Sequence, residues 1–174
     1  MKKSLPGLGL LLLLSIAAFQ FCVQPPDYSD TPVIEFKSMT KDTLLTSRYG
    51  GDSTTIILSY TDGDGDLGSM ANDTSSRVFL FDSRDNSPKA AYTLPFIEQQ
   101  GAGNGISGDI SIFIKSDNNA FKFCCIYGGN LPPCELDPAP QNTDTLTFKI
   151  YIKDRAGHVS NVVETAPIIL ICQK

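Results

Sequence analysis

The chain has 174 residues, with 14 Lys and Arg against 19 Asp and Glu and a formal net charge of −5. That length sets a prior of one domain with at most a tail, and an acidic chain repels phosphate backbones, so no nucleic acid partner is expected. There is no Trp, one His and five Cys, while 14 Gly and 11 Pro announce many turns.

Residues 1–21 read as a secretory signal peptide. Lys2 and Lys3 come first, then an apolar run from Leu8 to Ala18, then small residues at Ala17 and Ala18. The run is too short for the ~20 residues that a bilayer-spanning helix needs. Removing it leaves 12 basic against 19 acidic groups, because no acid precedes Asp27. Cys22 follows, at the place of an acylated lipoprotein cysteine. The next residues, VQPPDYSDTP, are polar and Pro-rich and suit a flexible tether over 22–31. In outline this resembles the start of lipoproteins from Bacteroidota-type bacteria. It departs from the usual lipobox at Phe21, where a small residue is normal. The expected location is exported and anchored in a membrane through lipid on Cys22, at the outer membrane or cell surface. A secreted or periplasmic soluble form is the alternative.

Residues 32–174 read as one all-β domain. Short runs of alternating apolar residues lie between turn signals. They begin at Val33, Ile34 and Phe36. Thr54–Thr61 is strongly β-branched, and Val78–Phe81 and Ala91–Phe96 follow. Ile106–Ile114 puts Ile106, Ile110, Ile112 and Ile114 on one face. Phe121–Tyr127 is shorter and reads as an excursion within a long Pro-rich connection. Thr145–Lys153 alternates Leu146, Phe148, Ile150 and Ile152 with polar partners, and Val159–Ile171 closes the chain. No stretch after the tether has a convincing 3.6-residue period. Seven to eight short strands with turns between them indicate an antiparallel β-sandwich. The GAGNG run at 101–105 reads as a loop, since without a following helix it does not cradle phosphate.

Two motifs sit at strand ends: YTDGDGDLG at 60–68 and IYIKDRAGHVSN at 150–161. Together they resemble the immunoglobulin-like domains of Bacteroidota-type surface lipoproteins. Those carry a DGDGD run after an early strand and a D-x-AG-N-x-S run before the last. The resemblance covers roughly residues 32–172. It departs at His158, where the pattern has Asn. It implies an immunoglobulin-like fold and a surface location, and no particular activity.

Asp62, Asp64 and Asp66 alternate with Gly63 and Gly65. Three ionised carboxylates this close repel one another, and hard oxygen donors suit Ca²⁺. The spacing matches the first half of an EF-hand loop. It departs at the sixth position, Leu67 instead of Gly, and at the twelfth, Asp73 instead of Glu. The flanking segment is also a strand. Further ligands are therefore expected from elsewhere. In an immunoglobulin-like sandwich the second-to-third and sixth-to-seventh loops share an end, which brings Asp154 toward Asp62–Asp66. The expected ion is a structural Ca²⁺. The plain alternative is a turn rich in Asp and Gly, and the remaining one is Mg²⁺ or another ion.

Beyond Cys22, four cysteines remain: Cys124, Cys125, Cys134 and Cys172. An even count in an exported domain argues disulfides. Pairing the vicinal Cys124 and Cys125 closes a strained ring. That leaves one of them with Cys134 and the other with Cys172. A zinc site lacks CxxC pairs and a nearby His.

No catalytic activity is expected. The single His lies in a turn motif, and a nucleophile needs a positioned base. Two carboxylates on one short loop are rarely held at a glycosidase's separation, so that class carries low weight. A surface accessory or protein-interaction module leads. Glycan binding within a polysaccharide-uptake system is the alternative, weakened by the absence of Trp.

Overall fold

Strict alternation of side chains decides where most of this chain goes. The computed structural model describes residues 27–46, 51–99, 105–115, 123–126 and 143–172. Residues 1–21, expected to be a signal peptide, and Cys22 and Cys134 lie outside these. Ten strands run in order: β1 (Val33–Met39), β2 (Thr43–Thr46), β3 (Ser53–Asp62), β4 (Arg77–Asp82), β5 (Pro88–Thr93), β6 (Ile106–Lys115), β7 (Thr143–Leu146), β8 (Phe148–Lys153), β9 (Val163–Glu164) and β10 (Ile168–Cys172). They form three sheets, ordered β1-β3-β6, β2-β10-β7 and β5-β4-β8-β9. The described residues contain no helix, so none that could cross a membrane.

The inward positions are those of the sequence pattern. On β3 every second residue from Thr54 to Asp62 is buried. On β6 the buried set is Ile106, Ile110, Ile112 and Ile114, and on β7 and β8 it is Leu146, Phe148, Ile150 and Ile152. With Ile34, Leu44, Val78, Leu80, Ile168 and Leu170 they make one hydrophobic core shared by the three sheets. Each such side chain contributes about 1.5–3 kcal/mol by leaving water. All-β sheets meeting across a shared core are consistent with a β-sandwich.

Several expected strands are drawn differently. The run 145–153 breaks at Thr147. Its first part, β7, pairs with β10, and its second, β8, pairs with β4. Thr147 makes the step between sheets, exchanging backbone and hydroxyl hydrogen bonds with Ser83. The run 159–171 breaks likewise, because β9 pairs with β8 and β10 with β7 and, in parallel, β2. The strand expected at 91–96 runs over Pro88–Thr93, set by its register on β4. Residues 123–126, inside the run expected at 121–127, carry no strand. β2 was not apparent from four residues with two apolar side chains.

The two ends of the molecule differ. One end holds the start of β1, the end of β3, the start of β6 and the end of β8. The other holds β10's last residue, Cys172, which is bonded to Cys125 across a Cα–Cα distance of 6.0 Å. Cys124 is also disulfide-bonded. Beside this bridge Arg84 bonds both oxygens of the buried Asp82, at 2.9 and 2.6 Å. Its remaining nitrogen, Nη1, reaches Asp144, and Nη2 also donates to the Cys124 carbonyl. Burial pushes the Asp82 carboxyl up, but the bonds from Arg84 outweigh it and hold it below the usual range.

Candidate metal centre

The period of β3 explains how an acid is buried at its end. Asp62 continues the inward row Thr54, Ile56, Leu58, Tyr60, and it is 0 % exposed. Beyond it the chain curls back. Gly65 takes a φ of 69°, which lets the loop turn and bring alternate carboxylates together. One oxygen from each of Asp62, Asp64 and Asp66 lies within 4.8 Å of the others.

Their hydrogen bonds are incomplete. Asp62 Oδ2 accepts the backbone N–H groups of Asp66 and Leu67, at 2.9 and 3.2 Å. Asp66 Oδ2 accepts the N–H of Ala156 at 2.8 Å. Three of the other oxygens, Oδ1 of Asp62, Asp64 and Asp66, are buried and have no partner. A buried unpaired carboxylate oxygen is costly, and three together are costlier. Burial first, then the charge of Asp64, pushes the Asp62 carboxyl up to about 6. Burial also raises Asp66, against the opposing bond from Ala156.

Asp154 reaches this end by the same parity. It continues the inward row Phe148, Ile150, Ile152 of β8 and is 0 % exposed. Its oxygens are engaged within its own turn. Oδ1 accepts the N–H groups of Gly157 and His158 at 2.6 and 2.8 Å, and Oδ2 meets His158 Nδ1 at 2.9 Å. The Asp154 charge raises the imidazole above its ordinary range. So the 154–158 turn is folded on Asp154 and then docks on the acidic loop through Ala156. Arg155 adds a bond to the Gly68 carbonyl. The expectation that the two loops share an end holds in the structure, with Asp154 holding the turn from within.

Other contacts were not legible. Ser29 O accepts the Gly63 N–H at 2.7 Å, and a Cβ on Gly63 would collide with the Tyr28 carbonyl. Tyr28 OH reaches Ser107 Oγ at 3.4 Å. Residues 28 and 29, expected in the tether, therefore lie against the acidic loop. On its other flank Gly68 N–H donates to Ser76 Oγ, and Ser76 N–H to Ser69 Oγ, both at 3.0 Å. The sequence signal for these was weak: short hydroxyl side chains far apart in the chain.

Family models, curated proteins and solved structures yield no match to this chain.

Proposed function

We propose that this chain is an exported, lipid-anchored surface module with an immunoglobulin-like sandwich, and that its acidic end holds a structural Ca²⁺. The observation that carries the metal is the meeting of three carboxylates, one oxygen of each within 4.8 Å of the others, each residue also having a buried Oδ1 with no hydrogen-bond partner. Such atoms want a cation. An all-oxygen, all-carboxylate donor set on a loop with glycine joints suits Ca²⁺, which accepts flexible geometry. Asp62, Asp64 and Asp66 would supply the protein oxygens. Asp154 acts through the turn that presents Ala156 to Asp66. The ion cancels like charge and fixes one loop against the other. The role of the module is to bind a partner, with no chemistry of its own.

One observation favours the glycan-binding alternative. Phe79 and Phe81 both stack with Tyr151 on the outer face of β4 and β8, with centroids at 4.9 and 5.8 Å. Those ring faces are turned to one another, however, which leaves little face for a sugar. The interaction module remains the preferred reading.

The metal is tested by thermal melting after exhaustive chelation, then with Ca²⁺ restored. At a hundredfold excess over Kd a single site raises stability by about 2.7 kcal/mol. Asp64→Ala should remove the response. No shift in a demonstrably metal-free wild type would refute the site. Metabolic labelling with a palmitate analogue, against Cys22→Ser, tests the anchor.

A further inference from the structure

Eight large apolar side chains are exposed among the described residues, and they are unevenly placed. Four sit at the acidic end. Val33 pairs with Thr61, one residue before Asp62. Val159 bridges Lys153, one residue before Asp154. Met70 and Phe96 directly follow the parallel-bridged pair Ser69 and Pro95. Met70 is 65 % exposed and Phe96 44 %. Arg155 ties this apolar tip to the carboxylates. Its guanidinium lies 5.7 Å from the centre of the Phe96 ring and also bonds the Gly68 carbonyl. Its neighbour Ala156 bonds Asp66. Apolar loop tips beside a cation have the character of an interfacial membrane contact.

The path of the chain says what covers this tip. Tyr28 and Ser29 lie against Gly63, so the N-terminal segment joins the domain at the acidic end. Cys22 stands five residues before Asp27. Five residues span at most about 18 Å when fully extended. A lipid on Cys22 would hold this end, and not the disulfide end, within reach of the bilayer.

We propose that the acidic end is a membrane-facing surface, with Met70 and Phe96 seated at headgroup depth beside Arg155, in a contact that the bound Ca²⁺ permits. Without the ion, three carboxylates repel an anionic headgroup layer. With it, that repulsion is cancelled, while Arg155 and the apolar tips remain attractive. The inference rests on lipid attachment at Cys22 and on the metal reading above.

The chain has no Trp, so Phe96→Trp installs a single fluorescent reporter. The full-length protein is reconstituted on phosphatidylcholine and phosphatidylglycerol vesicles with brominated acyl chains. With Ca²⁺, the Trp at position 96 should shift to the blue and lose most of its emission. With chelator it should recover. Phe113→Trp, on β6 away from this end, should stay unquenched throughout. Met70→Trp repeats the test should the variant at 96 melt abnormally. Flotation of the vesicles reads the anchor separately, and a Ca²⁺-dependent melt reads the metal. Protein that floats and binds Ca²⁺ but shows no quenching at 96 or 70 overturns this inference and leaves both earlier readings standing. Equal quenching at 113 overturns it too. Quenching that ignores chelation overturns the part assigned to the ion. Protein that fails to float overturns the anchor and this inference together.

Discussion

Asp62 and Asp154 stand at the inward-facing ends of β3 and β8, both 0 % exposed, but only Asp154 has partners for both oxygens. The difference lies in the chain beyond each. After Asp154 the chain returns two backbone N–H groups and an imidazole. After Asp62 it returns two N–H groups to one oxygen, none to the other, and brings two further carboxylates close. One end-strand acid is a completed turn cap, and the other keeps a buried oxygen with no partner.

The two acids should respond oppositely to loss of charge. Asp62→Asn removes a buried unpaired charge, so the chelated protein should become more stable while its response to Ca²⁺ disappears. Asp154→Asn breaks a charge-assisted turn and should cost about 1–3 kcal/mol with or without metal. Chemical denaturation of both variants in Ca²⁺ and in chelator checks this. A wild-type Ca²⁺ response in Asp62→Asn would contradict the assignment.

The raised pKa of Asp62 makes a pH prediction. Its folded pKa of about 6 lies above the ordinary 3.8, so the folded state binds the extra proton between them. Stability from this group is therefore full below about 4 and is lost as pH rises through about 6. Asp52 and Asp82 have lowered values and act in the opposite sense. The clean observable is thus the difference from Asp62→Asn. Metal-free wild type should lose stability relative to that variant between these two values. Ca²⁺ affinity should weaken as pH falls through about 6, because the ligands must be deprotonated. A flat difference across that window would contradict the burial of an ionised Asp62.

The alternation that made the fold readable also placed these acids. The row Ile56, Leu58, Tyr60 predicts that Asp62 points inward, and Phe148, Ile150, Ile152 predicts the same for Asp154. The Asp-Gly spacing was visible as a candidate site on separate grounds, three carboxylates within five residues alternating with glycines. What stayed hidden depends on long-range partners. Nothing local in Ser29 or Ala156 marks it as a neighbour of Gly63 or Asp66. Thr147 and Pro167 interrupt apolar runs without announcing that the chain changes sheets there. The choice of Cys125, and not Cys124, for Cys172 follows from which of two adjacent residues faces β10, and pattern alone left it open.

Asp82 ends the inward row of β4, as Asp62 ends that of β3, but the chain supplies Arg84 to it. Arg84→Ala should leave a buried carboxylate with only the backbone N–H of residue 84, at 3.0 Å, and Lys89, at 3.7 Å, for compensation. The expected loss is about 3–5 kcal/mol. Arg84→Ala combined with Asp82→Leu should recover much of it, since a well-packed apolar side chain replaces the pair. A small loss from Arg84→Ala alone, measured by urea unfolding, would show that the pair is hydrated and weak.

Cys125 and Cys172 are 47 residues apart, so their bond closes a long loop. On the chain-entropy account, removing it with Cys125→Ser and Cys172→Ser should cost about 4 kcal/mol. The bond does not hold the 123–126 segment alone. Arg84 bonds the Cys124 carbonyl, and Asp144 accepts the Ile126 N–H at 2.8 Å, so the segment is gripped on both sides of Cys125. These grips and the disulfide restrain the same few residues. Once the Cys125 bond is gone the segment is held less tightly, although Cys124 keeps its own disulfide, and Asp144 has less left to lose. Asp144→Asn should therefore cost less in the Cys125→Ser, Cys172→Ser background than in the wild type, a coupling a double-mutant cycle reads directly. Strict additivity would mean that the segment stays docked without its bond, and that Asp144 holds it independently.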